Sequence, residues 1–352
     1  MKNYFFKAIQ LHFNPVSLVT NCPSLYFFKE LQSFHYLIDM NSKFALLFGW
    51  AVISSLISFS QENSVKELEI ITAKDVIVGA QQTEQYFPIL KGSQVGVVAN
   101  PTSMIGTVHL IDSLLNSGIL ISKVFCPEHG FRGEADAGTV IKSGKDPLTG
   151  LPVVSLYGKN LKPSKKDLKK VDIMIFDLQD VGARFYTYIS TMTFVMEACA
   201  EHSIPMIILD RPNPNGFYVD GPLLTTQYAS FVGLHPVPIV HGMTVGEYAN
   251  MINNEGWLEE GVYCDLKVIP VLGYEHHMLY KLPVKPSPNL PNWKAIYLYP
   301  SIALFEGTII SVGRGTDRPF QVIGHPEYGI GSYTFTPSSV QGAENPKYMD
   351  QA

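Results

Sequence analysis

Cysteine is scarce in this chain. There are four in 352 residues and no C-x-x-C pair, which excludes a disulfide framework and a zinc ribbon. Positive charge is also short, with 26 Lys and Arg against 31 Asp and Glu, a net charge of -5 at pH 7. That balance argues against nucleic acid or an anionic lipid surface as partner. No H-E-x-x-H or H-x-H spacing occurs, and no G-x-G-x-x-G follows the first strand. Neither a catalytic metal nor a nicotinamide or flavin cofactor is therefore expected. Internal repeats and low-complexity tracts are missing too.

Long apolar runs are equally rare. Phe44 to Ile57 is an apolar stretch of fourteen residues, short of the roughly 20 that span a bilayer. Lys43 precedes it and the small-residue pattern Ser58-Phe59-Ser60 follows, the layout of a secretory signal peptide. Signal peptides begin close to their methionine, so Met40 reads as the start. Residues 1–39 are expected to be an upstream extension, 40–60 the signal peptide and 61–74 a polar, exposed lead-in. Cleavage near Ser60 leaves 22 basic against 29 acidic residues, a net charge of -7. The expected location is periplasmic or secreted, with no stable membrane anchor after processing.

What the chain does have is an ordinary globular composition, 46% hydrophobic and 16% charged, and a recurring pattern of apolar runs that end in polar loops. The run ending Ile121-Ser122-Lys123-Val124 leads into Phe125-Cys126-Pro127-Glu128-His129-Gly130-Phe131-Arg132-Gly133-Glu134. Val171 to Phe176 leads into Asp177-Leu178-Gln179-Asp180-Val181-Gly182-Ala183-Arg184. Met206 to Leu209 leads into Asp210-Arg211-Pro212-Asn213-Pro214-Asn215-Gly216. Open α/β sheets bind ligands outside the carboxyl ends of their strands. Carboxylates repeated at three such ends point to one shared site, because like charges grouped in a cleft repel unless they serve a function.

Between these runs lie helical patterns, at His109 to Asn116 and at Tyr186 to His202. Further strands are read at Gln94 to Ala99, Val153 to Leu156 and Leu266 to Val271. The β-α-β succession predicts a parallel sheet with helices on both faces over residues 75–234. Thr244-Val245-Gly246-Glu247 predicts a capping box at the start of a helix reaching about Asn253. A smaller α/β or α+β domain is expected over 235–352, with a proline-dense connector from Pro283 to Pro291.

Glu128 is the leading catalytic candidate, since a strand-end acid beside Pro127 can be held partly desolvated. Asp177 and Asp180 are candidate partners, and paired carboxylates suit glycoside hydrolysis. Arg132, Arg184, Arg211 and Arg314 are candidates to bind an anionic substrate as a fork. Tyr186 and Tyr188 offer ring faces to a sugar. His129, Asp210 and Asn213 complete the expected substrate contacts.

The strings Pro127 to Gly133, Asp177 to Tyr188, Asp210 to Gly216, His241 to Glu247 and Gly313-Arg314-Gly315-Thr316-Asp317 resemble those of the peptidoglycan exo-β-N-acetylmuramidases of the NamZ type. The resemblance runs from about Ile77 to Ile330. It implies a Rossmann-like domain joined to a smaller carboxyl-terminal domain, with the site in the cleft between them. The implied activity is release of β-1,4-linked N-acetylmuramic acid from the non-reducing end of peptidoglycan-derived glycans or muropeptides. The family's proposed catalytic glutamate maps onto Glu128; its partner is left open among Asp177, Asp180, Glu306 and Asp317. Members of the family continue past the point where this chain stops, Ala352, so the second domain is expected to be incomplete. Two other classes fit some of the same residues: a non-catalytic periplasmic protein that holds a muramyl ligand, and a metal-dependent hydrolase.

Overall fold

The computed structural model describes residues 7–10, 68–128, 130, 144–329 and 331–349, the first four as backbone only. At its centre is a seven-stranded sheet. Six strands are parallel: β1 Gln94–Ala99, β2 Leu120–Cys126, β3 Pro152–Ser155, β4 Ile173–Asp177, β5 Met206–Leu209 and β6 Leu266–Ile269. The two-residue strand Gly144–Lys145 pairs antiparallel with β3 at one edge. Across the sheet the order is β3-β2-β1-β4-β5-β6, the 3-2-1-4-5-6 arrangement of doubly wound Rossmann folds. The chain reverses direction at the β1/β4 seam, where Ala99 pairs with Asp177.

Every residue of β4 and β5 is buried. Strands covered on both faces read as unbroken apolar runs rather than alternating ones, which is why Ile173 to Phe176 and Met206 to Leu209 stand out in the sequence. One face packs on α1 Thr83–Leu90 and α2 Leu110–Asn116, through Tyr86, Leu90, Leu110, Ile111 and Leu114 against Val95, Val97 and Val124. On the rest of the sheet α4 Val245–Asn254 lies over β5 and β6 and packs against α3 Tyr188–Glu201. A fifth helix, α5 Trp293–Ile302, leads to the 3-10 turn Ala303–Gly307. The backbone of Lys7–Gln10 pairs antiparallel with Val322–His325.

Several expected boundaries move for local reasons. His109 is the N-cap of α2, its Nδ1 accepting from the Ile111 amide while Nε2 donates to the Asn100 carbonyl. α3 begins at Tyr188 instead of Tyr186, because Ala183 to Tyr186 is a separate turn closed by the Tyr186 amide on the Ala183 carbonyl. β6 stops at Ile269 because Pro270 has no N-H to give a ladder. The capping box is present as expected: Thr244 Oγ1 accepts from the Glu247 amide and Glu247 Oε2 from the Thr244 amide.

Two pairings lie at the expected domain bounds. The sheet does not close at residue 234, since β6 joins it parallel to β5 with Met206 opposite Leu266. Lys267, exposed on this edge strand, breaks the apolar run that marks the inner strands. Of the tract 61–74, residues 68–74 are among the described ones. Glu69–Ile71 pairs with the strand Met278–Tyr280, and Ile71 is buried in the core.

Candidate active site

At the carboxyl end of β2, Pro127 ends the ladder and Glu128 follows. Glu128 lines a cavity of about 190 Å³. One wall is the turn into α3, with Phe185, Tyr186, Thr187 and Tyr188; another is Ser287, Asn289 and Leu290 from the proline-rich connector. Tyr299 of α5, Glu306 of the following turn, Arg314 and Phe320 close the far side.

The aromatic part of this wall is fixed in place. Tyr186 and Tyr188 stand edge to face at 4.7 Å, and both hydroxyls donate to the Pro286 carbonyl. Tyr299 meets Phe185 at 5.4 Å, Tyr186 at 5.9 Å and Phe320 at 5.0 Å. Burial raises the hydroxyl pKa of Tyr186, Tyr188 and Tyr299, and the negative charge of Asp180 adds to each. They remain neutral donors over the whole working range of pH. Tyr157 is hydrogen-bonded to Glu128, and its phenol is pushed up to about 12, by burial first and then by the Glu128 charge.

Opposite stand Glu306 and Arg314. Arg314 Nη1 lies 3.2 Å from Glu306 Oε1, and the guanidinium sits 5.8 Å from the centre of the Phe320 ring. Gly313 and Gly315, both at positive φ, turn the backbone on either side of Arg314. Its Nε is buried with no hydrogen-bond partner among the described residues. Burial raises the Glu306 carboxyl, Arg314 and Lys347 oppose this, and the Glu128 charge reinforces it. Two carboxylates and a guanidinium thus share one aromatic-walled cavity.

The remaining expected site residues have structural partners elsewhere. Asp177 is fully buried and holds Arg211 as a fork, Nε to Oδ1 at 2.6 Å and Nη2 to Oδ2 at 2.9 Å. Asp210 accepts at Oδ1 from the Gly246 and Arg211 amides and at Oδ2 from the Thr244 hydroxyl, tying β5 to the start of α4. Burial pushes its carboxyl up to about 6. A Cβ on Gly246 would lie 2.8 Å from Asp210 Cγ, so only glycine allows that approach. Asn213 closes its own turn onto the Asn215 amide and donates to the Met243 carbonyl. Arg184 donates to the carbonyls of Pro222 and Val237.

Asp180 lies under the tyrosine wall, not in the cavity. Its Oδ2 accepts from the Gly182 amide and is 3.6 Å from His241 Nε2. His129 and Arg132 fall outside the described residues. Among the described residues no group of three or more potential metal ligands forms.

The family model described as exo-beta-N-acetylmuramidase NamZ, N-terminal, matches residues 95–294, and its C-terminal counterpart matches 297–343. The chain belongs to the NamZ family. It is 43% identical over 290 residues to the peptidoglycan beta-N-acetylmuramidase NamZ of Bacillus subtilis, a span of 80% of this chain and 67% of that protein. Two crystal structures of DUF1343 family proteins from Bacteroides fragilis share the fold. One has a TM-score of 0.72 at 53% identity, covering 78% of this chain and 74% of the other; the second has 0.64 at 36%, covering 70% and 64%.

The NamZ match also divides the cavity. Glu128, Tyr186, Tyr188 and Asn289 come from the N-terminal region, and Tyr299, Glu306, Arg314 and Phe320 from the C-terminal one. Neither region alone encloses the site. Asn289, Tyr299 and Phe320 lie away from the strand ends, and Tyr157, just past β3, brings no carboxylate, so the strand-end pattern does not signal them. Glu306, open as a partner in the sequence, gains its place from this cavity.

Proposed function

We propose that this chain is an exo-acting glycosidase that releases N-acetylmuramic acid from the non-reducing ends of peptidoglycan fragments. The observation that carries the reading is the shared cavity of Glu128, Glu306 and Arg314 in a chain of the NamZ family. Glycoside hydrolysis needs one carboxyl group to protonate the leaving oxygen and a second to act as nucleophile or to activate water. Glu128 is the principal catalytic carboxylate. Glu306 is the second: burial raises its carboxyl pKa against the pull of Arg314 and Lys347, the direction that suits a proton donor. A pure binding protein has no use for two such groups in one cavity.

The sugar's lactyl ether carries the carboxylate that distinguishes it from N-acetylglucosamine. Of the four arginines expected to meet an anion, Arg211 is spent on Asp177, Arg184 on backbone carbonyls, and Arg132 is outside the described residues. Arg314 lines the cavity, and its buried Nε has no hydrogen-bond partner among the described residues. It is the lactyl-carboxylate contact in this reading, with Tyr186 and Tyr188 framing the sugar ring.

The test is product analysis. Wild-type protein is incubated with a glycan chain bearing N-acetylmuramic acid at its non-reducing end, and the products are resolved by mass spectrometry. Free N-acetylmuramic acid with the chain shortened by one sugar supports the reading. Cleavage at internal bonds, or no cleavage, would overturn it.

Export follows from the same reading, because the substrate lies outside the cytoplasmic membrane. Cleavage near Ser60 is expected, giving a mature chain that begins close to Gln61 and keeps no anchor. Among the described residues no helix is long and apolar enough to cross a membrane. Mass spectrometry of the mature amino terminus checks this; intact protein in the cytosol beginning at Met1 would contradict it.

A further inference from the structure

The net negative charge of the chain hides a local excess of the opposite sign. Lys159, Lys162, Lys165, Lys166, Lys169 and Lys170 fall in the fourteen residues before β4. Lys162 is spent, with Glu197, Glu201 and Glu259 within 3.4 Å. Lys165, Lys166, Lys169 and Lys170 are exposed, and among the described residues none of the four has an ion-pair partner. Asp167, the acid within the run, is turned onto the amide and hydroxyl of Ser164. Lys123 supports the loop from below through the carbonyls of Lys166 and Asp167.

Three of these lysines border a groove of about 750 Å³, lined by Lys165, Lys166, Lys169 and His202 over Leu168, Val171 and Ile204. Among the described residues no carboxylate lines it. The pKa of Lys123 is lowered, by burial first, with Lys166 and Lys169 adding to the fall against the opposing pull of Asp167.

The groove is remote from the cavity. Its lysines enter β4 at Ile173, and the chain leaves β4 at Asp177 towards Tyr186. The five residues between span roughly 15 Å of extended strand, so an occupant of one end does not fill the other.

We infer that this lysine-lined groove docks the anionic peptidoglycan polymer itself, at a point separate from the catalytic cavity. The identity of the polymer rests on the muramidase reading; the groove and its charge do not. The stem-peptide carboxylates of the wall supply a repeating negative charge that complements the lysine row. An anionic bilayer fits less well. Surface helices that bind membranes present apolar side chains outwards for insertion, whereas Leu168, Val171 and Ile204 are buried at the groove floor. Docking there would keep the enzyme on the wall while the cavity works on chain ends.

The test uses the full chain, purified insoluble peptidoglycan, anionic phospholipid vesicles and a small soluble muramide. Wild-type protein should sediment with the peptidoglycan at low ionic strength and be released at about 0.5 M salt, where the screening length is only a few ångström. The variant Lys165→Gln/Lys166→Gln/Lys169→Gln/Lys170→Gln should bind about tenfold more weakly, from four exposed contacts of modest individual strength. Its turnover of the soluble muramide should match wild type, which also shows that it folds. The corresponding four Lys→Arg changes should keep the binding. Equal sedimentation of the glutamine variant, failure of wild type to sediment, or binding of wild type to vesicles but not to peptidoglycan would each overturn the proposal. Failure of the muramidase reading shows differently, as loss of turnover on the soluble muramide by wild type.

Discussion

Glu128→Gln should lower turnover of a muramide substrate by about 10² to 10⁴-fold, the range that general acid-base groups contribute. The substitution keeps the size and planarity of the side chain and removes only its ability to exchange a proton or carry full negative charge. Glu128 sits in the turn after β2, outside the β-ladder, so the core has no reason to respond. Thermal unfolding should therefore stay close to wild type while the rate falls. Glu306→Gln should reduce the rate as well, because the pair acts as a unit and single losses in such units are not additive. A folded Glu128→Gln protein that keeps more than about a tenth of wild-type turnover would sink the assignment.

Asp177→Ala should act on stability instead. It removes both acceptors of the Arg211 fork and leaves a guanidinium enclosed with only the Met104 carbonyl. Breaking a buried pair by deleting one partner costs about 3 to 5 kcal/mol, chiefly because the surviving charge is stranded. For a domain of this size that lowers the unfolding midpoint by roughly 10 °C. Asp177→Leu combined with Arg211→Met removes both charges and should recover most of the loss. Calorimetry or denaturant titration decides. A loss below about 1 kcal/mol for Asp177→Ala, or a double variant no better than the single, would mean that the ion pair is not what holds these strand ends together.

These two carboxylates show where sequence reading works and where it stops. Glu128 and Asp177 look alike in sequence, each at the carboxyl end of an apolar strand with glycine close behind. The difference lies in what faces them across the sheet. Arg211 follows β5, the neighbour of β4, and so reaches Asp177 from 34 residues away; Glu128 faces a cavity completed by residues more than 150 positions later. Pairing of this kind depends on strand order, which single-sequence patterns do not contain. The same limit applies to Asp210, whose partners are the amides and hydroxyl that open α4.

The strands themselves were legible because burial on both faces leaves no polar residue to interrupt them, as in β4 and β5. β6 was legible as a strand but not as part of this sheet, since its edge position exposes Lys267. The capping box at Thr244 was read correctly because both of its hydrogen bonds are local. Glu306 carried no comparable signal. It follows α5 in a short turn, and only the approach of Arg314 and Phe320 makes that turn a wall of the site.

Whether the cavity is built for a muramyl sugar is tested most directly by comparing rates on paired chromogenic substrates, a muramide and the matching glucosaminide, for wild type and for Arg314→Ala. An arginine left without its carboxylate in a desolvated cleft discriminates by about 10² or more. The wild-type enzyme should therefore prefer the muramide by at least that ratio, and Arg314→Ala should narrow the ratio by about tenfold or more, the muramide rate falling further than the glucosaminide rate. Equal hydrolysis of the two sugars by wild type, or an unchanged ratio in Arg314→Ala, would contradict carboxylate recognition by Arg314 and the muramidase assignment of the cavity with it.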